Sequence, residues 1–191
     1  MRPLLPVLLS TLLLGAAGPV RAEKADAFKP TDIQCGKCDA DGVTGAVNMD
    51  GGVTITRGTF RVDAQRGRVD SSPDGFQRAT LMAAPGQKVR FRQKADGPGE
   101  QWMEGEAERV EYDDRTALLK LFSKAEIKRT QNGQLIDESR GEFISYDSRK
   151  EVFAMRNTNT GDDRPGAGRN TIILQPRRTA PAPALAGTGT Q

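Results

Sequence analysis

Residues 107–121 read A-E-R-V-E-Y-D-D-R-T-A-L-L-K-L, and residues 141–155 read G-E-F-I-S-Y-D-S-R-K-E-V-F-A-M. In both, an alternating run leads into Tyr-Asp-x-Arg and a second alternating run follows, at an offset of 34 residues. Period-two alternation predicts half-buried strands. A repeat of this kind predicts stacked units, none of which can bury its apolar face alone. We therefore predict an extended antiparallel sheet with one apolar face.

The amino terminus indicates export. Met1 and Arg2 give a positive start, residues 4–17 are mostly apolar, and Val20 and Ala22 suit the positions of a cleavage site. These features predict a secretory signal peptide over residues 1–22, too short and interrupted for a stable membrane span. An uncleaved membrane anchor is the alternative.

Composition predicts one domain after cleavage. Removing residues 1–22 takes away Arg2 and Arg21 and no acidic residue, so the 28 basic residues become 26 against 25 acidic ones. We expect one all-β domain over residues 23–176. Residues 177–191, with little apolar content, are predicted to be a disordered tail.

The chain contains no histidine, which argues against an enzyme. Ser-His and Cys-His nucleophile systems and the common zinc sites all need imidazole. The acidic pairs Asp113-Asp114 and Asp162-Asp163 lie in turn-like segments, where Asp bonds its own backbone. We predict no catalytic residue, no metal site and no cofactor.

Alternation places one set of apolar side chains on the same side of the predicted strands. If the sheet rolls up, this inner face forms a groove where the walls stand apart and a core where they touch. For any single residue the sequence favours the core. The set consists of Val53, Ile55, Phe60, Val62, Val89, Phe91, Val110, Tyr112, Leu119, Leu121, Ile127, Ile144 and Tyr146, and we expect Val152 and Ala154 to continue it.

Three segments carry a resemblance to a known family. Gly52–Ala64 has the pattern G-x-V-x-I-x-x-G-T, Phe91–Lys94 follows, and Glu104–Asp113 reads E-G-E-A-E-R-V-E-Y-D. In this order, behind a signal peptide, they resemble the OstA-like family over about residues 30–176.

The resemblance implies an open, twisted β-jellyroll that acts as a non-enzymatic carrier. Such a carrier holds the acyl chains of lipopolysaccharide inside the roll, so the thirteen inner-face residues become candidate lipid-binding residues. It joins head to tail through its edge strands. The resulting homo-oligomer bridges inner-membrane and outer-membrane components of the lipopolysaccharide transport machinery.

The candidate edges are the first and last strands, Thr31–Gln34 and Thr171–Leu174. Both are short and carry no central run of charge. Unpaired edges of this kind accept a further strand. We predict docking through Thr31, Ile33, Ile172 and Leu174. The alternative is that flanking loops or the tail cover both edges.

Cys35 and Cys38 form a C-x-x-C motif beside the first edge. In an oxidising compartment such a pair can close a small disulfide loop. A thioredoxin-like site would need a βαβ context, which this sequence lacks. We therefore predict a structural disulfide between Cys35 and Cys38, and an unpaired thiol or a redox signal that governs docking is the alternative.

The basic stripe Lys88, Arg90, Arg92 and Lys94 alternates with apolar Val89 and Phe91. We interpret it as a solvated outer surface rather than a nucleic-acid site, and export argues against a nucleic-acid partner.

The function that we predict is a periplasmic lipopolysaccharide-binding carrier that forms the bridge between the two membranes. Another member of the same machinery would need an uncleaved anchor or several hundred further residues. The alternative from a different class is a periplasmic β-adaptor that assembles through its edges and binds no lipid.

Overall fold

The computed structural model describes residues 25–26, 28–97 and 99–176. The predicted signal peptide and tail lie outside the described residues. None of the described residues belongs to a helix long and apolar enough to cross a membrane. The strands are β1 Asp32–Asp41, β2 Ala46–Arg57, β3 Phe60–Ala64, β4 Arg66–Ser71, β5 Gln77–Met82, β6 Val89–Lys94, β7 Gln101–Ala107, β8 Arg109–Asp113, β9 Leu118–Gln131, β10 Gln134–Asp147, β11 Val152–Arg156 and β12 Thr171–Leu174.

The strands form one antiparallel sheet folded into two walls. The first wall contains β3, β6 and β7, and the second contains β4, β5 and β8. Strand β2 pairs with β3 along one half and with β4 along the other. Strand β9 joins β7 and β8 in the same way. The walls therefore share long strands at both ends of a roll, and the predicted all-β, antiparallel architecture is confirmed.

Each end of the roll carries further strands. Strand β1 pairs with β2 on both sides of the corner. Strand β10 pairs with β9, and its other edge pairs with β12 on the side of the first wall and with β11 on the side of the second. The roll therefore ends in one long strand at the β1 end and in two short strands at the β12 end.

The chain crosses from one wall to the other along a single corner. Strands β3 and β4 are separated there by Gln65, whose N–H donates to the carbonyl of Met82 at 3.0 Å. Strands β7 and β8 are separated by Glu108, whose N–H donates to the carbonyl of Ser123 at 3.1 Å. Backbone groups thus keep their partners through the bend, which avoids the cost of unpaired polar groups.

Glycines allow β1 and β2 to bend together at the corner. Gly51 and Gly52 have φ values of 76° and 90°, a region that side chains disfavour. A Cβ on Gly36 would lie 2.6 Å from the carbonyl oxygen of Gly51. The two backbones can approach this closely only because neither residue there carries a side chain.

The sequence repeat is a structural repeat. Asp113 opposes Leu118 across the first turn, and Asp147 opposes Val152 across the second. In each turn the Asp Oδ1 accepts from the backbone N–H three residues later, at 3.2 Å and 3.0 Å. Both turns end at a residue with φ of 55°, Ala117 and Glu151. Asp suits this position because its side chain bonds the turn backbone.

The prediction that Val152 and Ala154 face inward is wrong. Phe153 opposes Tyr146, packs against the core and so faces inward, as does Met155. Because residues 152–155 are all apolar, alternation does not show which of them face inward. The register with β10 decides the face instead.

The segment 157–170, which links β11 to β12, holds its shape through side-chain hydrogen bonds. Asn157 accepts from the N–H of Arg164 and donates to its carbonyl, both at 2.9 Å. Gly161 lies close to the ring of Phe143. Phe143 meets Phe122 edge to face, with ring centroids 5.1 Å apart. The loop therefore covers a small apolar cluster on the outer side of the corner.

Candidate functional site

A cleft of about 640 Å³ lies between the two walls, on the side away from the corner. This side is called the mouth below. Its volume falls within the range of roughly 300–1,000 Å³ that is usual for ligand sites in proteins. Both walls, together with β2 and β9, contribute apolar side chains to the cleft. The apolar lining consists of Phe28, Ile55, Phe60, Val62, Val69, Phe76, Ala79, Leu81, Phe91, Met103, Val110, Tyr112, Ala117, Leu119 and Tyr146.

All thirteen predicted inner-face residues belong to the buried cluster inside the roll or pack against it. Eight of them line the cleft: Ile55, Phe60, Val62, Phe91, Val110, Tyr112, Leu119 and Tyr146. The other five, Val53, Val89, Leu121, Ile127 and Ile144, do not line it. The structure therefore divides the predicted groove into two parts.

The part near the corner is a closed core. Val89, Leu121 and Ile144 have no exposed surface. The walls converge here because both begin at the corner, where β2 and β9 bend from one wall into the other. Side chains from the two walls then fill the space between them, as in an ordinary protein interior.

The part near the mouth is open, and aromatic side chains edge it. The rings of Phe60 and Phe91 on the first wall are 6.4 Å apart. The guanidinium of Arg57 reaches across the mouth and lies 5.9 Å from the ring centroid of Tyr112 on the second wall. Phe28, 91% exposed, stands on the rim of the first wall.

Asp26 fixes the beginning of the described chain to the rim of the first wall. Its buried carboxylate accepts from the hydroxyl of Thr59 and, at 3.4 Å, from the side-chain amide of Gln93. Gly58 leaves the space for this carboxylate, because a Cβ there would overlap it. Thr31, which we expected in the first strand, lies one residue before β1 and lines the cleft instead.

Ion pairs order the rim of the second wall. Arg115 donates to both carboxylate oxygens of Asp74 at 2.8 Å and 2.6 Å, and its guanidinium lies 4.3 Å from the ring centroid of Phe76. A hydrogen bond from the Ser72 hydroxyl, and then that from Arg115, lower the pKa of Asp74. Arg149 donates to the carbonyl of Arg115 at 2.7 Å. These contacts hold neighbouring turns together and place Phe76 at the mouth.

Several cleft residues could not be found by alternation. Phe28 and Phe76 lie outside the strands, where alternation gives no signal. Val69 and Leu81 lie on the short strands β4 and β5. Most residues of these strands are polar, so too few apolar residues are present to show a clear alternation. The alternation A-T-L in residues 79–81 was the available signal for Leu81.

Cys35 and Cys38 are joined by a disulfide within β1, which is longer than the predicted strand. The pair spans the bulge where β1 turns from the first wall to the second. Cys35 opposes the core residue Val53, and Cys38 opposes the core residue Met49. The disulfide therefore lies on the inner face of the edge strand, at the corner.

The basic stripe lies on the outer face of the first wall. Lys88 and Arg90 form ion pairs with Glu106 at 2.7 Å and 3.3 Å. The guanidinium of Arg92 lies 4.0 Å from the ring centroid of Trp102. The hydrogen bond from Lys88 is the largest cause that lowers the pKa of Glu106. The stripe thus belongs to a network of opposite charges on the surface.

Residues 32–152 match the family model described as "LptA/(LptD N-terminal domain) LPS transport protein". The chain belongs to this family. Its members are lipopolysaccharide transport proteins, which confirms the predicted OstA-like relationship and the class of a carrier rather than an enzyme. The alternative of an adaptor that binds no lipid is not favoured.

Two further proteins are similar to the chain. It is 26% identical over 168 residues to the lipopolysaccharide export system protein LptA of Haemophilus influenzae, with 88% of this chain and 89% of the relative covered. The crystal structure of LptH, the LptA homologous periplasmic component of the lipopolysaccharide transport device of Pseudomonas aeruginosa, superimposes with a TM-score of 0.65. That comparison has 20% identity and covers 79% of this chain and 99% of LptH. The shared fold confirms the predicted jellyroll.

Proposed function

We propose that this chain is exported to the periplasm through a signal peptide in residues 1–22 and carries lipopolysaccharide with its acyl chains in the cleft. The observation that carries the proposal is a cleft lined by apolar side chains of both walls, in a member of a lipopolysaccharide transport family. The eight cleft residues among the predicted set would contact lipid. The five corner residues would hold the walls together.

The open mouth suits a carrier that must release its ligand. Burying one acyl methylene contributes roughly 0.8 kcal/mol, so full enclosure of several chains would bind lipopolysaccharide almost irreversibly. A cleft that opens along one side covers only part of each chain. The lipid can then move along the cleft with little change in affinity.

Strand lengths favour assembly through the two ends of the roll. In β1, four paired residues precede the bulge, Asp32–Cys35, and five follow it, Lys37–Asp41. At the other end, β12 has four residues and β11 has five. An incoming β1 would therefore match β12 along the first wall and β11 along the second, as β10 does within the chain.

This docking would preserve the antiparallel order of the sheet. Strand β1 runs from the first wall to the second, whereas β11 and then β12 lead back from the second wall to the first. The contact joins two different surfaces, so it repeats head to tail and extends the cleft from copy to copy. Ile172 and Leu174, 60% and 73% exposed, would be covered by the next copy. Partners of the transport machinery with the same edges would dock in the same way.

Photocrosslinking in the periplasm tests the proposal. A small diazirine residue replaces Leu119, which lines the cleft, or the adjacent Lys120, which faces outward from the same strand. We expect a lipopolysaccharide adduct at position 119 and little at position 120. A third position, Leu174, is expected to form an adduct with a second copy of the chain.

The outcomes separate the two parts of the proposal. Folded protein with no lipid adduct at position 119 would exclude the cleft as the carrier site. Equal lipid adducts at 119 and 120 would also contradict it. A lipid adduct at 119 without any protein adduct at 174 would retain the carrier and reject this mode of assembly.

A further inference from the structure

The cleft stops before the β12 end of the roll. Its lining reaches Tyr146 on β10 but includes no residue of β11 or β12. The inner face nevertheless continues beyond this point. Phe153 and Met155 extend it along β11, and Ile172 and Leu174 extend it along β12. The side chains between Tyr146 and this end therefore decide whether the interior is continuous.

A charged side chain enters the interior at that place. Arg129 on β9 opposes the buried Met103 on one side and Asp137 on the other, so its side chain faces inward. Its Nε donates to both carboxylate oxygens of Asp137, at 2.9 Å and 3.0 Å. Asp137 is only 8% exposed. The ion pair thus projects from the first wall's side of the roll.

Two stacked aromatic rings face this ion pair. The ring of Phe153 on β11 stacks on that of Tyr146, with centroids 4.4 Å apart. The guanidinium of Arg129 lies 5.6 Å from the centroid of Phe153, within the distance of a cation–π contact. This contact joins the two sides of the roll between the cleft and the exposed side chains Ile172 and Leu174.

We propose that Arg129, Phe153 and Tyr146 form a constriction that closes the cleft toward the β12 end. An acyl chain passes to the next copy only when Arg129 leaves Phe153. This inference rests on the proposed carrier function and deepens it, because it assigns the residues that control passage between copies.

The arrangement can open without exposing an unpaired charge. Arg129 keeps its hydrogen bonds with Asp137 if both side chains move away from the ring together, so the buried carboxylate remains compensated. Leaving that carboxylate alone would be strongly unfavourable. Opening breaks only the cation–π interaction between Arg129 and Phe153, which is weak and re-forms easily.

The test uses purified chain loaded with lipopolysaccharide and freed of unbound lipid. A diazirine residue at Leu119 reports the cleft, and one at Ile172 reports the inner face beyond the constriction. In the otherwise unchanged chain we expect strong lipid adducts at 119 and weak ones at 172. Phe153→Leu removes the ring and should raise the adduct at 172 about fivefold, the effect of removing one such interaction from an opening equilibrium.

A second variant removes the cation without leaving a lone carboxylate. Arg129→Gln combined with Asp137→Asn should raise the adduct at 172 to a similar extent, with the adduct at 119 unchanged. The matched control is Arg61→Gln, which breaks an exposed ion pair on the outer face of the first wall and should change neither adduct.

The constriction is overturned if neither variant raises the adducts at 172 above those of the unchanged chain. It is also overturned if Arg61→Gln raises them as much as the variants do. Absence of lipid adducts at 119 in every chain is a separate result, because it overturns the carrier proposal itself.

Discussion

The corner and the mouth of the roll are built from the same strands but have opposite properties. On β9, Leu121 has no exposed surface and lies in the closed core, whereas Leu119, two residues earlier on the same face, lines the cleft. The side chains are identical in type and orientation. They differ in whether they border the cleft.

The comparison shows that one apolar face can have two roles along its length. Near the corner its burial holds the walls together. Near the mouth the same chemistry is left available to a ligand. A sheet that bends at one corner therefore needs no separate set of residues for binding, because divergence of its walls creates the site.

The largest expected effect distinguishes the two leucines. Leu121→Ala should lower the free energy of unfolding by about 2–5 kcal/mol, because it leaves a cavity in a packed interior. Leu119→Ala should cost clearly less, since its side chain borders open space and no closed cavity results. Urea denaturation of both variants measures the difference. Equal losses would contradict the division into a closed corner and an open mouth.

A second test measures lipopolysaccharide binding rather than stability. Phe60→Ser removes an aromatic ring from the mouth and should weaken lipopolysaccharide binding at least about tenfold, since burying such a side chain contributes roughly 1.5–3 kcal/mol. Arg61→Ser, the neighbouring outward-facing position, should leave binding unchanged. Equilibrium binding of purified lipopolysaccharide to both variants gives the answer. Loss of affinity in both would show that the inner face is not specific.

The smallest expected effect concerns the outer surface. Glu106 has its pKa lowered from 4.5, mainly by the hydrogen bond from Lys88. A lowered pKa in the folded state adds stability above the ordinary pKa, and that stability is lost as the pH falls through the folded value. Glu106→Gln should therefore cost less than about 1 kcal/mol at pH 7, and the difference should vanish in acid.

Urea denaturation at pH 7 and pH 3 checks the prediction for Glu106. Lys88→Gln should cause a comparable loss, and the double variant should lose less than the two single losses combined. A cost at pH 7 as large as that of Leu121→Ala would mean that surface charge, rather than the closed core, holds the corner together.

Alternation predicted which residues face the interior, but the sequence could not predict where the walls separate. The thirteen inner-face positions follow from a period of two, a local property of each strand. Separation depends on bends at Gln65, Glu108 and Ser123, which carry no special sequence signal. Gly36, Gly51 and Gly52 mark the corner on β1 and β2, and of these we interpreted only Gly52, as part of a hairpin pattern.

The edges were harder to predict than the interior. Strand β1 continues to Asp41 through a polar segment that contains Gly36, so its second half shows no apolar pattern. The C-terminal edge is shared by β11 and β12, and a single-strand prediction missed half of it. The predicted orientation of Val152 was wrong for a related reason. In a uniformly apolar run, pairing with the adjacent strand decides which side chains face inward.

The 34-residue repeat allows the roll to become longer without becoming wider. Both copies have the same cross-strand register and the same turn. One more copy would therefore add strands along the axis without changing the gap between the walls. A duplication within one gene and the docking of a second chain would give the same geometric result. A conduit built in this way can be lengthened to span any distance while its bore remains constant.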